Sequence, residues 1–123
     1  MKGLRHFFFV LYILFFACTT SQGQEIKVVD KNHIKTHVIG KKEQLIDVRT
    51  PKEYEAGHIG NALNYNIGDK NTFLEQIATL DKNKPVYLYC KIGGRSGRAA
   101  RLLKEKGFKK IYDYAGGYSD WVK

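Results

Sequence analysis

Between residues 26 and 122 short β-prone runs alternate with helical stretches, and this alternation constrains the fold more than any other feature of the chain. Ile26 to Val29 is a short, β-branched stretch, and Asp30-Lys31-Asn32 caps a weak helix over 32–39 that Gly40 stops. Gln44 to Arg49 reads as a buried strand. Thr50 then supplies a cap and Pro51 a first helical position for a helix from Pro51 to Ala56, ended at Gly57. Ala62 to Ile67 is a further extended piece. Asn71 to Leu80 sets Phe73, Leu74, Ile77 and Leu80 at helical spacing. Pro85 to Tyr89 is strongly β-prone and runs directly into Cys90. Ser96 to Lys106 carries an apolar stripe of Ala99, Ala100, Leu102 and Leu103, closed by Gly107. Lys110 to Tyr114 is the last strand, and Gly116-Gly117 turns into a helix over 118–122. Strand and helix in alternation predict an α/β domain whose sheet is mostly parallel and covered by helices on both faces.

The chain begins differently. Met1 to His6 holds Lys2 and Arg5, and Phe7 to Ala17 is unbroken apolar before Thr-Thr-Ser-Gln-Gly-Gln. A charged start and a short apolar run are the marks of a secretory signal peptide. The run falls short of the about 20 residues a spanning helix needs. Two processing sites compete. Ser21-Gln22-Gly23 suits cleavage after residue 23, giving a soluble domain over 24–123. Phe15-Phe16-Ala17-Cys18 resembles a bacterial lipobox, which would end the signal at 17 and leave Cys18 lipidated. Either way the domain is expected in the bacterial cell envelope, in the periplasm, touching membrane only through a lipid. With two cysteines in the chain, neither route leaves an intramolecular disulfide, so Cys90 stands unpaired in an exported protein.

Charge narrows the partners. The formal net charge is +9, and without Lys2 and Arg5 the remaining 19 basic and 12 acidic residues leave +7. Interspersed lysines such as Lys41, Lys42, Lys104, Lys106, Lys109 and Lys110 mark a solvated basic face, or a field that draws small anions to a cleft. No recognised nucleic-acid motif accompanies them.

In open α/β sheets ligands bind beyond the carboxyl ends of the strands, where Cys90 stands. The loop Cys90-Lys91-Ile92-Gly93-Gly94-Arg95 joins that strand to the helix starting near Ser96. Gly93 and Gly94 let the backbone curl with its amides inward, making a nest for negative charge. The helix adds its positive end, and Lys91 and Arg95 add full charges. Each effect favours thiolate over thiol. The plainer alternative is a small buried hydrophobe at a strand end.

At this point a resemblance is specific. Tyr89-Cys90-Lys91-Ile92-Gly93-Gly94-Arg95-Ser96 is similar to the active-site loop of single-domain rhodanese-homology proteins, the thiosulfate sulfurtransferase-like family. Leu45-Ile46-Asp47-Val48-Arg49-Thr50-Pro51-Lys52-Glu53-Tyr54 with Gly57-His58-Ile59 resembles the family's N-terminal signature, and Ala115-Gly116-Gly117-Tyr118-Ser119-Asp120-Trp121 its C-terminal one. One departure is Gly60-Asn61, in a turn where the family commonly has Pro-Gly. The resemblance implies a rhodanese-like fold with a five-stranded sheet, and a double displacement in which Cys90 takes sulfane sulfur as a persulfide and passes it on. Lys91, Ile92, Gly93, Gly94, Arg95 and Ser96 would bind the substrate, with Lys91 and Arg95 orienting an anionic donor such as thiosulfate. The acceptor would be a thiol or cyanide. No metal or organic cofactor is implied, and the domain is expected to be a monomer.

Asp47, Arg49 and His58 are expected as structural support, because charged groups buried near a loop need partners. Trp121 and the tyrosines are expected in the core, and His33 and His37, four apart and without a third ligand, on the surface. Three rival functions remain. A phosphatase loop has five residues between cysteine and arginine, whereas four separate Cys90 from Arg95. A non-catalytic binding module would retain the fold without needing the cysteine. A thiol-redox protein would need a partner's cysteine, since Cys-x-x-Cys is absent.

Overall fold

A computed structural model describes residues 25–123, so the leader at 1–23 and the lipidation candidate Cys18 lie outside the described residues. The described residues form β1 (Ile26–Val29), α1 (Lys31–His37), β2 (Gln44–Asp47), α2 (Pro51–Ala56), β3 (Leu63–Asn64), α3 (Lys70–Ile77), β4 (Val86–Tyr89), α4 (Gly94–Glu105), β5 (Ile111–Tyr114) and α5 (Gly117–Trp121). The strands make one five-stranded sheet in the order β1-β5-β4-β2-β3, and every pairing is parallel.

Hydrophobic pattern explains the order. All four residues of β4 are buried, as expected of a strand covered on both faces. Val86 and Leu88 face a core with Phe73 and Ile77 of α3 and Ala99, Ala100 and Leu103 of α4. Tyr87 and Tyr89 face a second core, with Ile34 of α1, Ile59 and Tyr114, against which Tyr54 of α2 and Tyr118 and Trp121 of α5 pack. A fully buried side chain such as Leu88 or Phe73 contributes roughly 1.5–3 kcal/mol. β1 lies at the edge, with Val28 70% exposed.

β2 and β4 are neighbours in register, Asp47 opposite Tyr89, yet their following helices leave to opposite faces. That divergence opens a crevice at the carboxyl ends of the two strands, the place where such sheets bind ligands.

The elements depart from the sequence reading at their ends. β3 has two ladder residues, not the extended 62–67, although Tyr65 N–H still reaches Asp47 O and Ile67 N–H reaches Val48 O. α3 stops at Ile77, short of Leu80. α1 runs over 31–37 because the Asp30 carboxylate accepts from His33 N–H at 2.9 Å and sets the start. α4 begins at Gly94, two residues before Ser96, which brings Arg95 into its first turn.

Candidate active site

The β2–α2 connection locks its own charges. Arg49 and Asp47 are both buried and bonded side by side, Nε to Oδ1 at 3.0 Å and Nη2 to Oδ2 at 2.7 Å. Arg49 Nη2 also donates to Gly57 O at 2.6 Å, and its guanidinium lies 4.3 Å from the centre of the Tyr118 ring. Thr50 and Glu53 form a reciprocal capping box. The Glu53 carboxylate then reaches across the crevice to Arg95, with contacts of 2.6 and 2.9 Å. The Arg95 hydrogen bonds hold Glu53 down at about 2, and the same pairing raises the Arg95 guanidinium.

The β4–α4 connection is built around sulfur. Cys90 is 1% exposed, and its Sγ accepts from Gly93 N–H at 3.0 Å. Ser96 Oγ lies 3.6 Å from Sγ and donates to Gly93 O at 3.1 Å. Gly93 caps α4 with φ +96 and no side-chain hydrogen bond. A Cβ there would also stand 2.7 Å from Ala115 O, so this position requires glycine twice over. The first helical bond runs from Gly97 N–H to Gly93 O, which leaves the amides of residues 94 to 96 without an intrahelical acceptor beside the sulfur.

The C-terminal glycines brace the loop from behind. Tyr118 N–H donates to Cys90 O at 2.8 Å and Ser119 N–H to Lys91 O at 3.1 Å. Gly117 has φ +67, and a Cβ on it would meet Lys91 O and Cys90 O. These two bonds fix the Cys90 and Lys91 carbonyls, and with them the peptide planes that follow the cysteine.

The sequence-predicted residues divide three ways. Cys90, Gly93 and Ser96 touch one another, and Gly94 is in the first turn of α4. Lys91 and Ile92 are exposed, Ile92 at 74%, so both line the rim. Arg95 differs from its expected role, because both its terminal nitrogens are engaged by Glu53. Asp47 and Arg49 are paired with each other in the neighbouring turn, and Arg49 also donates to Gly57 O. His58 does not belong with them. It is exposed, with its ring stacked 3.9 Å from Tyr54 and Nδ1 3.1 Å from Tyr54 O, contacts that satisfy it at the surface. His33 is also placed differently, half-buried against Tyr112 with Nε2 unpartnered, and burial lowers its pKa. Trp121 is half-buried, edge-on to Tyr114.

One contributor escaped the sequence reading. Glu53 was legible as a capping residue three after Thr50, but its partner is 42 residues away.

A cysteine in a short glycine-bearing loop between the central strand and the start of the following helix marks a particular class of α/β domain. Residues 30–123 match the family described as Rhodanese-like domain, and the chain belongs to it. It is 37% identical over 113 residues to uncharacterized protein YqhL of Bacillus subtilis (strain 168), covering 92% of this chain and 84% of that one. It is 36% identical over 92 residues to thiosulfate sulfurtransferase GlpE of Coxiella burnetii (strain RSA 331 / Henzerling II), covering 73% and 83%. Among solved structures, the rhodanese-related protein from Thermoplasma volcanium superposes with a TM-score of 0.67 at 27% identity, over 78% of this chain and 90% of that one.

Proposed function

We propose that the protein is a sulfurtransferase that carries sulfane sulfur on Cys90. The supporting observation is the Gly93 N–H aimed at Cys90 Sγ from 3.0 Å, at the start of α4. The Cys90 thiolate attacks the outer sulfur of a donor such as thiosulfate. The donor's S–S bond breaks, sulfite leaves with the bonding pair, and Cys90 retains the sulfur as a persulfide. A thiolate or cyanide then attacks that outer sulfur, the new bond forms on the acceptor, and the Cys90 thiolate is regenerated. The amides of residues 93 to 96 and the end of α4 stabilise the negative charge at each stage, as preorganised donors do for any developing anion. Lys91 at the rim attracts the anionic donor, while Arg95, held by Glu53, contributes through the field rather than a free contact.

The GlpE relatives named thiosulfate sulfurtransferases support this reading. The four-residue spacing from Cys90 to Arg95 speaks against a phosphatase, and a single cysteine against a dithiol redox role. The domain acts as a monomer in the cell envelope, reached through its leader.

Intact mass spectrometry tests all of this. Thiosulfate should add one sulfur atom to the native protein and none to Cys90→Ser, whose transfer rate should fall roughly 10⁴-fold or more with the fold intact. The mature terminus should read Gln24, or a lipid-bearing Cys18. Efficient hydrolysis of p-nitrophenyl phosphate would overturn the assignment.

A further inference from the structure

The charge of the domain is not spread evenly along the strands. Because every strand pairing is parallel, all five strands begin at one end of the sheet and finish at the other, beside Cys90. Among the described residues, the segments at the beginning end (25–27, 38–44, 78–86 and 102–111) hold nine lysines, no arginine and four carboxylates, whereas the rest hold ten basic and eight acidic residues. Most of the positive excess therefore lies across the sheet from the sulfur, where it cannot serve as a funnel to the crevice. Backbone bonds gather several of these lysines into one patch. Lys109 N–H donates to Lys82 O at 3.1 Å, Val86 N–H donates to Lys110 O at 2.9 Å, and Lys27 lies opposite Tyr112 on the edge strand. Lys27, Lys109 and Lys110 are exposed and, among the described residues, make no ion pair. Together with Glu25 they are the charged lining of a cavity of about 380 Å³ at the start of β1 and β5.

Two features choose the occupant. Lysine is a compact, strongly hydrated point charge, whereas the fork of arginine is what reads phosphate in nucleic acid, and lysine is depleted in protein–protein interfaces. A lysine-only end suits a broad anionic surface rather than a shaped partner. The chain also enters the domain here: Glu25 leads into β1 beside the cavity, and the lipidation candidate Cys18 lies seven residues earlier. Seven residues span at most about 25 Å, so a lipid on Cys18 would keep this end within reach of a bilayer. We propose that the amino ends of the strands are a docking face for a bilayer of anionic phospholipid, centred on Lys27, Lys109 and Lys110, with Cys90 turned toward solution. The attraction acts within a Debye length of roughly 8 Å at physiological ionic strength, so it requires this face, and no other, against the headgroups. The choice of a membrane rests on reading the leader as an export signal; the charge asymmetry does not.

The experiment is sedimentation of the processed protein with vesicles of phosphatidylcholine, alone or with about one-third phosphatidylglycerol. The phosphatidylcholine arm removes any contribution of a lipid on Cys18. Anionic vesicles should bind at least about tenfold more tightly, and raising the salt should abolish the difference. The triple variant Lys27→Gln, Lys109→Gln, Lys110→Gln should lose at least about tenfold of that preference. The triple variant Lys31→Gln, Lys52→Gln, Lys70→Gln makes an equal charge change in the first turns of α1, α2 and α3, at the opposite end, and should lose less than about twofold. Cys90 alkylation by iodoacetamide should proceed at the same rate on and off the vesicle. Equal losses in the two triple variants, no preference for anionic vesicles, or slower Cys90 alkylation on binding overturns the proposal. So does displacement by inorganic phosphate at constant ionic strength, which would make the patch a site for a small anion. Tighter binding to single-stranded DNA or polyglutamate at the same salt overturns it too. Docking without sulfur loading from thiosulfate would sink the sulfurtransferase reading and leave this one standing, and loading without docking would do the reverse.

Discussion

The two strand-to-helix connections at the crevice are the same supersecondary unit used in opposite ways. After β2, the helix start is closed by its own side chains: Thr50 accepts from Glu53 N–H, Glu53 answers to Thr50, and Asp47 neutralises Arg49. After β4, the helix start has a bare glycine at its cap, and the group that accepts an amide proton is a cysteine sulfur. A helix N-terminus left without a side-chain cap is an anion site by default. The chain closes one such site and opens the one beside it, and the Glu53–Arg95 pair ties the closed turn to the open one.

Four substitutions separate the two turns. The largest stability loss belongs to the closed one. Asp47→Ala strands a buried Arg49 and should cost about 3–5 kcal/mol in denaturant unfolding. If it costs under 1 kcal/mol, the turn is not held by its ion pair. On the open side, Gly93→Ala imposes φ +96 on a side chain that would strike Ala115 O. A loss of about 1–3 kcal/mol is expected, with persulfide loading impaired beyond what the remaining folded fraction explains. Thr50→Ala removes the cap of α2 and the Thr50 Oγ1 bond to Glu53 Oε1, for about 1 kcal/mol, and should leave Cys90 alkylation unchanged if the turns are chemically independent.

The smallest effect tests the tie. Glu53→Gln should cost under about 1 kcal/mol at neutral pH, because the Arg95 pair is only partly buried. Its sign with pH is defined. The folded pKa of Glu53 is lowered to about 2 from 4.5, so the stabilisation is full above the unfolded value and disappears as pH falls toward 2. Wild type and variant unfolding curves should therefore converge on acidification. A gap that widens instead would assign the pair no stabilising role.

Much of this was legible in order along the chain. The alternation of elements predicted the parallel sheet, and Thr50-Pro51 marked the start of α2. Pro85 to Tyr89 running into Cys90 placed the sulfur at the end of the central strand. These signals are local: periodicity, caps and glycines act within a few residues of themselves. The charges were harder to place. Arg95 read as a free donor-orienting group and is instead paired. His58 read as buried support and is stacked on the surface. A charge reports its type in sequence, but its partner is set by which loops the sheet brings together.

The chain order alone therefore determined the parallel architecture and the cysteine loop, because hydrophobic period and glycine placement specify backbone course without reference to distant residues. Only the folded sheet decided that Glu53 should answer Arg95 and that the Tyr118 and Ser119 amides should brace the carbonyls of Cys90 and Lys91. Those are contacts across strand order β5-β4-β2, and electrostatic pairing depends on separation in space, which spacing along a chain does not encode.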